Sequence, residues 1–198
     1  MNLAPATLEG HVVRLEPLGI HHLDALCEVG LDPSLWALTT TDIRSRDDMR
    51  RYLETALAER AAGSAMPFAT VVRDGDVVVG STRFGNIVPE HARVEIGWTW
   101  IAPRWQRTAV NTEAKYLMLR HAFQVWNCRR VELKTNVLNA RSRAAMLRIG
   151  AIEEGTLRKH MINADGSARD SMYFSVIDDE WPTVRARLEG ILLDAARA

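Results

Sequence analysis

The amino-acid sequence predicts an α/β protein built on a mixed, mostly antiparallel twisted sheet with helices on both faces. Segments with alternating apolar and polar residues, typical of strands, are interspersed with segments of 3.6-residue periodicity, typical of helices. Two Asp-Gly turns, Asp74-Gly75 and Asp165-Gly166, each separate two strand-like segments, as antiparallel hairpins require. A strand–helix–strand unit between residues 93 and 136 implies one parallel pair with a right-handed crossover.

The first half of the chain is predicted to place two helices between strands. A strand at His11–Pro17 is followed by a helix at Ile20–Gly30, which a glycine ends. Ser45 begins a capping pattern, and the helix after it ends at Gly63. The next three segments are predicted strands: Ala65–Arg73, Val77–Val88 and Arg93–Ile101.

The second half alternates helices and strands. A helix capped by Asn111 or Thr112 is expected to continue through Trp126, and Asn139 caps a shorter helix that ends at Gly150. The remaining predicted elements are strands at Arg130–Asn136, Ala151–Met161 and Ser171–Val176 and a helix at Glu180–Ala196. The predicted order is therefore βααβββαβαββα.

Length and charge limit the classes of protein to which the chain can belong. Its 198 residues, 47% of them hydrophobic, can build one core without disulfide or metal support. We predict one domain over residues 1–198, with a core at about 11–178 and a C-terminal helix at about 180–196. The 25 basic and 25 acidic residues give zero net charge, which argues against a nucleic-acid partner.

Cysteine usage and hydropathy indicate where the protein acts. Cys27 and Cys128 form no disulfide framework, so free thiols in the cytoplasm are expected. No signal peptide is visible, and no apolar segment reaches the roughly 20 residues that cross a bilayer, so no membrane association is expected. His21, His22 and Cys27 have no second cluster at zinc-ligand spacing, and no metal site is predicted.

The most informative segment, residues 98–114, runs from a strand through a short loop into a helix. Pro103 lacks a backbone N–H, so strand pairing has to stop or bulge beside it. No proline interrupts residues 107–113, and their N–H groups can surround an anion at a helix N-terminus, which carries about half a positive charge. A pyrophosphate is the natural ligand of such a turn.

With these residues the chain resembles the GNAT superfamily of acetyl-CoA-dependent N-acetyltransferases. The family motif Arg/Gln-x-x-Gly-x-Gly/Ala corresponds to residues 106–111, Gln-Arg-Thr-Ala-Val-Asn, with alanine at the usual glycine position and asparagine at the small final one. The family's Asn-x-x-Ser corresponds to residues 139–142, on a helix that ends at Gly150. The C-terminal pattern, including residues 165–171, is similar to that of ribosomal-protein N-terminal acetyltransferases.

The resemblance implies a GNAT fold whose βαβ core binds acetyl-CoA. The pantetheine arm would pair with the splayed end of the strand at Arg93–Ile101, the pyrophosphate would lie on the amides of residues 107–112, and Asn139 would bind the pantetheine. The implied cofactor-binding residues are Trp100, Ile101, Ala102, Gln106, Arg107, Thr108, Ala109, Val110, Asn111, Thr112, Asn139 and Ser142.

The resemblance also implies direct attack of an amine on the thioester, with a backbone N–H near Ile101 stabilising the oxyanion. Glu95 and His160 are candidate general bases: Glu95 is expected on the face of Ile101, six residues away, and an imidazole titrates near neutral pH. Many family members use a tyrosine acid where this chain has Met146, which makes Ser142 the replacement candidate. Each candidate also has a structural alternative: a solvated strand position or pairing with an arginine for Glu95, hydrogen bonding for His160 and a place in the first helical turn for Ser142.

Two function hypotheses follow. The first is an enzyme that acetylates a primary amine, either a protein N-terminus or a small molecule. The second is a non-catalytic module that binds coenzyme A or a partner, which the departures at Ala109, Asn111 and Met146 motivate. Tryptophans near the implied site are candidates for core packing, a homodimer contact or a substrate cage: Trp98, Trp100 and Trp105.

Overall fold

The structure, a computed structural model, describes residues 1–197. The strands are β1 (Leu8–Glu9), β2 (Val13–Pro17), β3 (Met66–Val72), β4 (Val77–Val88), β5 (Arg93–Ile101), β6 (Arg130–Asn136), β7 (Ile152–Ile162) and β8 (Ala168–Ile177). The α-helices are α1 (Leu23–Gly30), α2 (Arg46–Ala61), α3 (Ala109–Arg120), α4 (Ala140–Arg148) and α5 (Trp181–Arg197). The order of elements agrees with the sequence-based prediction, with the two-residue β1 added in front.

The eight strands form one mixed sheet in the order β1-β2-β3-β4-β5-β6-β8-β7. Every neighbouring pair is antiparallel except β5 and β6, which are parallel. That parallel ladder contains three residue pairs, from Arg93 with Arg130 to Glu95 with Glu132. From Ile96 onward β5 pairs with β4 alone, so β5 and β6 part and leave a gap in the sheet.

Helices cover both faces of the sheet and enclose two hydrophobic cores, which confirms the predicted layers. On one face, Phe84 of β4 packs in a buried cluster that includes Leu117 of α3 and Leu188 of α5. On the other face, Val71 of β3 packs in a cluster that includes Leu53 of α2. Strand β3 contributes side chains to both clusters, because successive side chains along a strand point to opposite faces of the sheet.

Strand β5 contains a β-bulge beside the gap. Trp98 and Thr99 together lie opposite the single residue Thr82 of β4, between the pairs that flank them. Trp98 adopts a left-handed backbone conformation, with φ of 50°. Because the bulge inserts one residue, it shifts the alternation of side chains along β5 by one position.

This shift corrects one sequence-based expectation. Val94 and Ile96 belong to the cluster under α3, and so does Ile101, although it lies an odd number of residues further on. Glu95 alternates with Val94 and Ile96 and therefore faces the opposite side. The expectation that Glu95 and Ile101 share a face is wrong. The residue that the bulge inserts between them reverses the alternation of side chains, so Ile101 lies on the face opposite to Glu95.

Helix α3 begins three or four residues earlier than the sequence analysis predicted, depending on whether Asn111 or Thr112 is taken as the predicted cap. Thr108 is the N-cap, and its hydroxyl accepts a hydrogen bond from the backbone N–H of Val110 at 3.3 Å. Asn111 and Thr112 are therefore inside the helix rather than capping it. Toward its C-terminal end the helix widens into a π-turn at His121–Val125 before Trp126.

The buried carboxylate of Glu113 ties α3 to the start of β2. It accepts hydrogen bonds from the backbone N–H groups of His11, Val12 and Val13 at 2.8, 2.7 and 2.6 Å. A Cβ at Gly10 would lie 2.5 Å from this carboxylate, so a larger residue there would displace it. Hydrogen bonds to a charged acceptor are stronger than neutral ones, and here they hold the helix that forms one wall of the gap.

We expect Glu113→Gln to destabilise the protein by about 2 kcal/mol or more, since an amide oxygen replaces a charged acceptor and its NH2 group faces donors. Urea unfolding monitored by circular dichroism measures the difference. Glu90→Gln, at an exposed turn, is the matched control and should change the unfolding free energy by less than about 0.5 kcal/mol. Equal stability of the two variants would contradict the role assigned to Glu113.

Candidate functional site

A cavity of about 930 Å³ opens where β5 and β6 part. Its walls come from the connection between α1 and α2, from β5, from the loop before α3 and from α4. This volume lies within the range of small-molecule and cofactor sites. From Ile96 onward, one edge of the β5 backbone faces this space instead of a neighbouring strand, so it can bind an extended ligand.

Most of the residues implied by the family resemblance line this one cavity. Those that line it are Glu95, Trp100, Ile101, Gln106, Arg107, Thr108, Asn111, Asn139 and Ser142. The others lie outside its lining: Ala102, Ala109, Val110, Thr112 and His160. Ala102 is engaged in the sheet, where its N–H donates to the carbonyl of Val79 at 2.8 Å.

The loop before α3 presents backbone N–H groups to the cavity. Arg107 has φ of 63°, a left-handed conformation that turns the chain into the helix. By helix geometry, the N–H groups of Thr108, Ala109 and Asn111 have no acceptor within α3. Such a turn at a helix N-terminus favours an anionic group.

The predicted anion site, the amides of residues 107–112, does not extend to Thr112. In helix geometry its N–H donates to the carbonyl of Thr108, and the residue is buried. Its hydroxyl instead accepts a hydrogen bond from Arg148 of α4 at 2.8 Å. Thr112 therefore joins α3 to α4 and does not offer its amide to a ligand.

Asn139 and Ser142 are placed by the start of α4. Oδ1 of Asn139 accepts a hydrogen bond from the N–H of Ser142 at 3.0 Å, as an N-cap does. Capping uses only the oxygen, so the amide Nδ2 is left as a donor beside the cavity. Ser142 and Met146 both line the cavity, one turn apart.

Glu95 lies at the floor of the cavity in a buried ion pair. Its Oε2 accepts hydrogen bonds from Nζ of Lys134 at 2.9 Å and from Nδ2 of Asn86 at 2.7 Å. A Cβ at Gly97 would lie 2.8 Å from Oε1, so that second oxygen extends along β5. The predicted pairing of this carboxylate is present, with lysine as the partner instead of arginine.

His160 lies on the exposed edge strand β7, outside the cavity. Its Nε2 is 3.5 Å from the hydroxyl of Tyr173, and the two rings meet edge to face at 5.6 Å. The structure thus separates the two candidate bases and places only Glu95 in the cavity wall.

The three tryptophans near the site have different environments. Trp100 is buried in the core under α1 and α2, with its ring 5.4 Å from that of Trp36. Trp105 is partly buried. Trp98 is 37% exposed, lines the cavity and stacks on the guanidinium of Arg83 at 5.1 Å.

Lys115 is a cavity residue that the sequence analysis missed. It lies on the second turn of α3, is 7% exposed, and its Nζ donates to Oγ1 of Thr99 in the bulge at 2.6 Å. Burial lowers the pKa of Lys115 to about 7. Lys115 follows Asn111 by four residues, so helical spacing could have placed it on the same face as a residue already selected.

Arg169 of β8 is a second missed residue. It is 9% exposed and lines the cavity near Glu95. Burial also lowers the pKa of Arg169, which nonetheless remains a permanent cation. With Lys134, it gives the floor of the cavity two cations around one carboxylate.

Two absences hold for residues 1–197. No group of three or more histidine, cysteine, aspartate or glutamate side chains in this range could hold a metal ion. No helix among the same residues is long and apolar enough to cross a membrane.

The fold and the site together define a class of group-transfer proteins. In this class an α/β sheet parts between two parallel strands, and the N-terminus of a helix lies at the gap. The family model described as "Acetyltransferase (GNAT) domain" matches residues 13–152, and the chain belongs to this family. It is accordingly an acyltransferase, and the alternative of a non-catalytic module is not supported.

Three comparisons illustrate the relationship. A proposed acetyltransferase of T. thermophilus is 37% identical, with a TM-score of 0.89 and coverage of 97% of this chain and 100% of that one. The ribosomal-protein-serine acetyltransferase of Escherichia coli (strain K12) is 26% identical over 138 residues, 70% of this chain and 75% of that protein. RimJ of Mycobacterium smegmatis, solved in complex with CoA-disulfide, shares the fold, with 23% identity, a TM-score of 0.82 and 96% coverage of both chains.

The buried Lys115 predicts a specific pH dependence of stability. Its pKa is about 7 when folded and near 10.5 when unfolded. Below pH 7 the ammonium is charged in both states, and burial of the charge destabilises the fold. Between pH 7 and 10.5 the unfolded chain binds more protons, so this destabilisation is progressively relieved as pH rises.

We therefore expect Lys115→Met to be more stable than the parent protein at pH 6, by up to about 5 kcal/mol at 1.4 kcal/mol per pKa unit. The difference should shrink toward pH 10. Urea unfolding across this range measures it, with Lys159→Met on exposed β7 as the matched control. A stability difference for Lys115→Met that is independent of pH would contradict the buried, weakly basic amine.

Proposed function

We propose that the chain is an acetyl-CoA-dependent N-acetyltransferase that moves an acetyl group directly to a primary amine. The observation that carries this proposal is the cavity between the parted strands, with the free N–H groups of α3 at one end and the exposed edge of β5 along its side. Family membership and the CoA-disulfide held by the M. smegmatis RimJ support it.

The residues present fit the chemical parts of acetyl-CoA. The amides of Thr108, Ala109 and Asn111 suit the pyrophosphate, because they combine N–H donors with the positive end of a helix dipole. The free backbone edge of β5 suits the amide-bearing pantetheine arm. Nδ2 of Asn139 supplies one more donor for a pantetheine carbonyl.

The chain's own groups can serve direct transfer. Oε1 of Glu95 is the oxygen of that carboxylate left to accept a proton from the attacking amine, directly or through water. Backbone N–H groups at the β5 bulge would stabilise the oxyanion, because a bulge leaves a residue unpaired. Ser142 would donate a hydrogen bond to the sulfur. His160 is the less favoured base, since it lies outside the cavity lining.

A protein N-terminus is the acceptor that the relatives favour. The E. coli relative is named for acetylation of a ribosomal protein. In this chain a second cavity of about 270 Å³ shares Thr41, Tyr52 and Trp98 with the larger one. Its lining includes three acidic residues, Asp42, Asp48 and Glu59, each of which is paired with an arginine, so the cavity is polar without a strong net charge.

We also propose a cytoplasmic homodimer. The free cysteines Cys27 and Cys128 suit a reducing compartment. The edge strand β7 exposes three apolar side chains that a second copy could cover: Ile152, Leu157 and Ile162. Cell fractionation and sedimentation velocity test the two statements, and a purely monomeric species at micromolar concentration would overturn the second.

Acetyl-CoA at a hundred times its Kd should stabilise the protein by about 2.7 kcal/mol, measured as a thermal shift. Asn139→Asp keeps the capping oxygen and removes the donor Nδ2, so we expect at least about tenfold weaker binding. The unfolding temperature of this variant without ligand should match that of the parent protein. No shift of the parent protein at millimolar acetyl-CoA would refute the proposed function.

If Glu95 is the base, Glu95→Gln should lower kcat/KM by about 100-fold or more. Free-thiol release with peptide and small-amine acceptors measures the rate. Glu132→Gln, adjacent on β6 and paired with Arg93 and Arg130, is the matched control. A kcat/KM within about threefold of the parent value across pH 6–9, together with a large loss in His160→Gln, would transfer the role to His160.

A further inference from the structure

We propose that Lys115 donates the proton that the coenzyme A thiolate needs as it leaves, an assignment that rests on the proposed acetyl transfer. The family's tyrosine acid is replaced by Met146, whose thioether carries no proton to give. Ser142 carries one but is a weak acid. Lys115 also lines the cavity and carries a transferable proton.

The position of Nζ suits this role. Lys115 reaches from α3 to the β5 bulge, where its Nζ donates to Oγ1 of Thr99 at 2.6 Å. That hydroxyl is in turn 2.8 Å from Oγ1 of Thr82 on β4. The amine is therefore held at the β5 bulge, four residues beyond the last β5–β6 pair, on the helix whose N-terminus would bind the pyrophosphate.

The charged side chains on the helices and strands around Lys115 are bound to, or face, groups other than Lys115. On α3, Glu113 is bound by the amides of residues 11–13. From α4, Arg148 donates to Thr112. On β5 and β6, Glu95 and Lys134 bind each other, and Arg169 of β8 faces Glu95. Lys115 has no salt-bridge partner among residues 1–197, and burial alone lowers its pKa to about 7.

The residue type matters as much as the position. Of the chain's 25 basic residues, 22 are arginines, whose guanidinium does not lose its proton in proteins. Two of the three lysines, Lys115 and Lys134, line the cavity. Lys134 is neutralised by Glu95, which leaves Lys115 as the cavity lysine that can exchange a proton near neutral pH.

The transfer step balances. The acceptor nitrogen forms a bond to the acetyl carbon and gives its proton to the base; the C–S bond breaks, and its electron pair stays on sulfur. The Lys115 ammonium then passes a proton to that sulfur, which is downhill because an ordinary thiol has a pKa near 8.5. Water returns a proton to Lys115 after coenzyme A has left.

Titration of bound coenzyme A tests this proposal without turnover. The ultraviolet absorbance of the thiolate reports the pKa of the bound thiol in the parent protein, in Lys115→Met and in the control Lys159→Met. Below about pH 7, where Lys115 carries its proton, we expect several-fold more thiolate in the parent protein and the control than in Lys115→Met, because a nearby ammonium favours the thiolate. Above about pH 8 the titration curves should converge, because Lys115 is then neutral. In parallel, kcat of Lys115→Met should fall by about 100-fold.

Lys115→Arg separates proton donation from simple charge. It should favour the thiolate at every pH and so lower the thiol pKa below that of Lys115→Met, but it should not restore kcat, since the guanidinium keeps its proton. Recovery of kcat in Lys115→Arg, or equal amounts of thiolate below pH 7 in Lys115→Met and the parent protein, would overturn the proposal. Failure of the parent protein to bind coenzyme A would instead refute the proposed function.

Discussion

The parting of β5 and β6 is the constraint on which the site depends. Parallel strands normally continue their ladder as far as both extend, and here the ladder stops after three pairs although both strands run on. The remaining β5 residues hold their place through β4, and those of β6 through β8. The sheet therefore stays continuous at one end and opens at the other, which exposes backbone groups without leaving a strand unsupported.

Helix α3 makes this opening usable because its N-terminus is fixed at the gap. Thr108 caps the helix, Glu113 binds it to the start of β2, and Thr112 links it to α4 through Arg148. These three contacts lie within the first two turns. Their concentration there explains how a helix end with unsatisfied N–H groups can remain ordered beside a cavity of this size.

Much of this architecture could be predicted from the sequence, and the errors share a physical origin. Strand β4 and the Asn139 cap follow from local patterns, alternation and side-chain capping, and the structure has both as predicted. That Glu95 and Ile101 lie on opposite faces of β5 could not be predicted. A β-bulge depends on pairing with β4, and its extra residue shifts the alternation of side chains by one position. The start of α3 was misplaced because Thr108, Asn111 and Thr112 are all acceptable caps, and tertiary contacts select among them.

Lys115 could not be recognised as a site residue from the sequence pattern, for a related reason. On a helix whose other residues fill a core, a lysine looks like a solvated position, and nothing local reveals that Thr99 will meet it. The neutral net charge of the chain is similarly uninformative about the site, since the anion-binding groups are backbone amides and the floor carries Lys134 and Arg169 around Glu95. The chemistry of this cavity is therefore set by where a few charges are buried, because burial can bring the pKa of a lysine near neutrality.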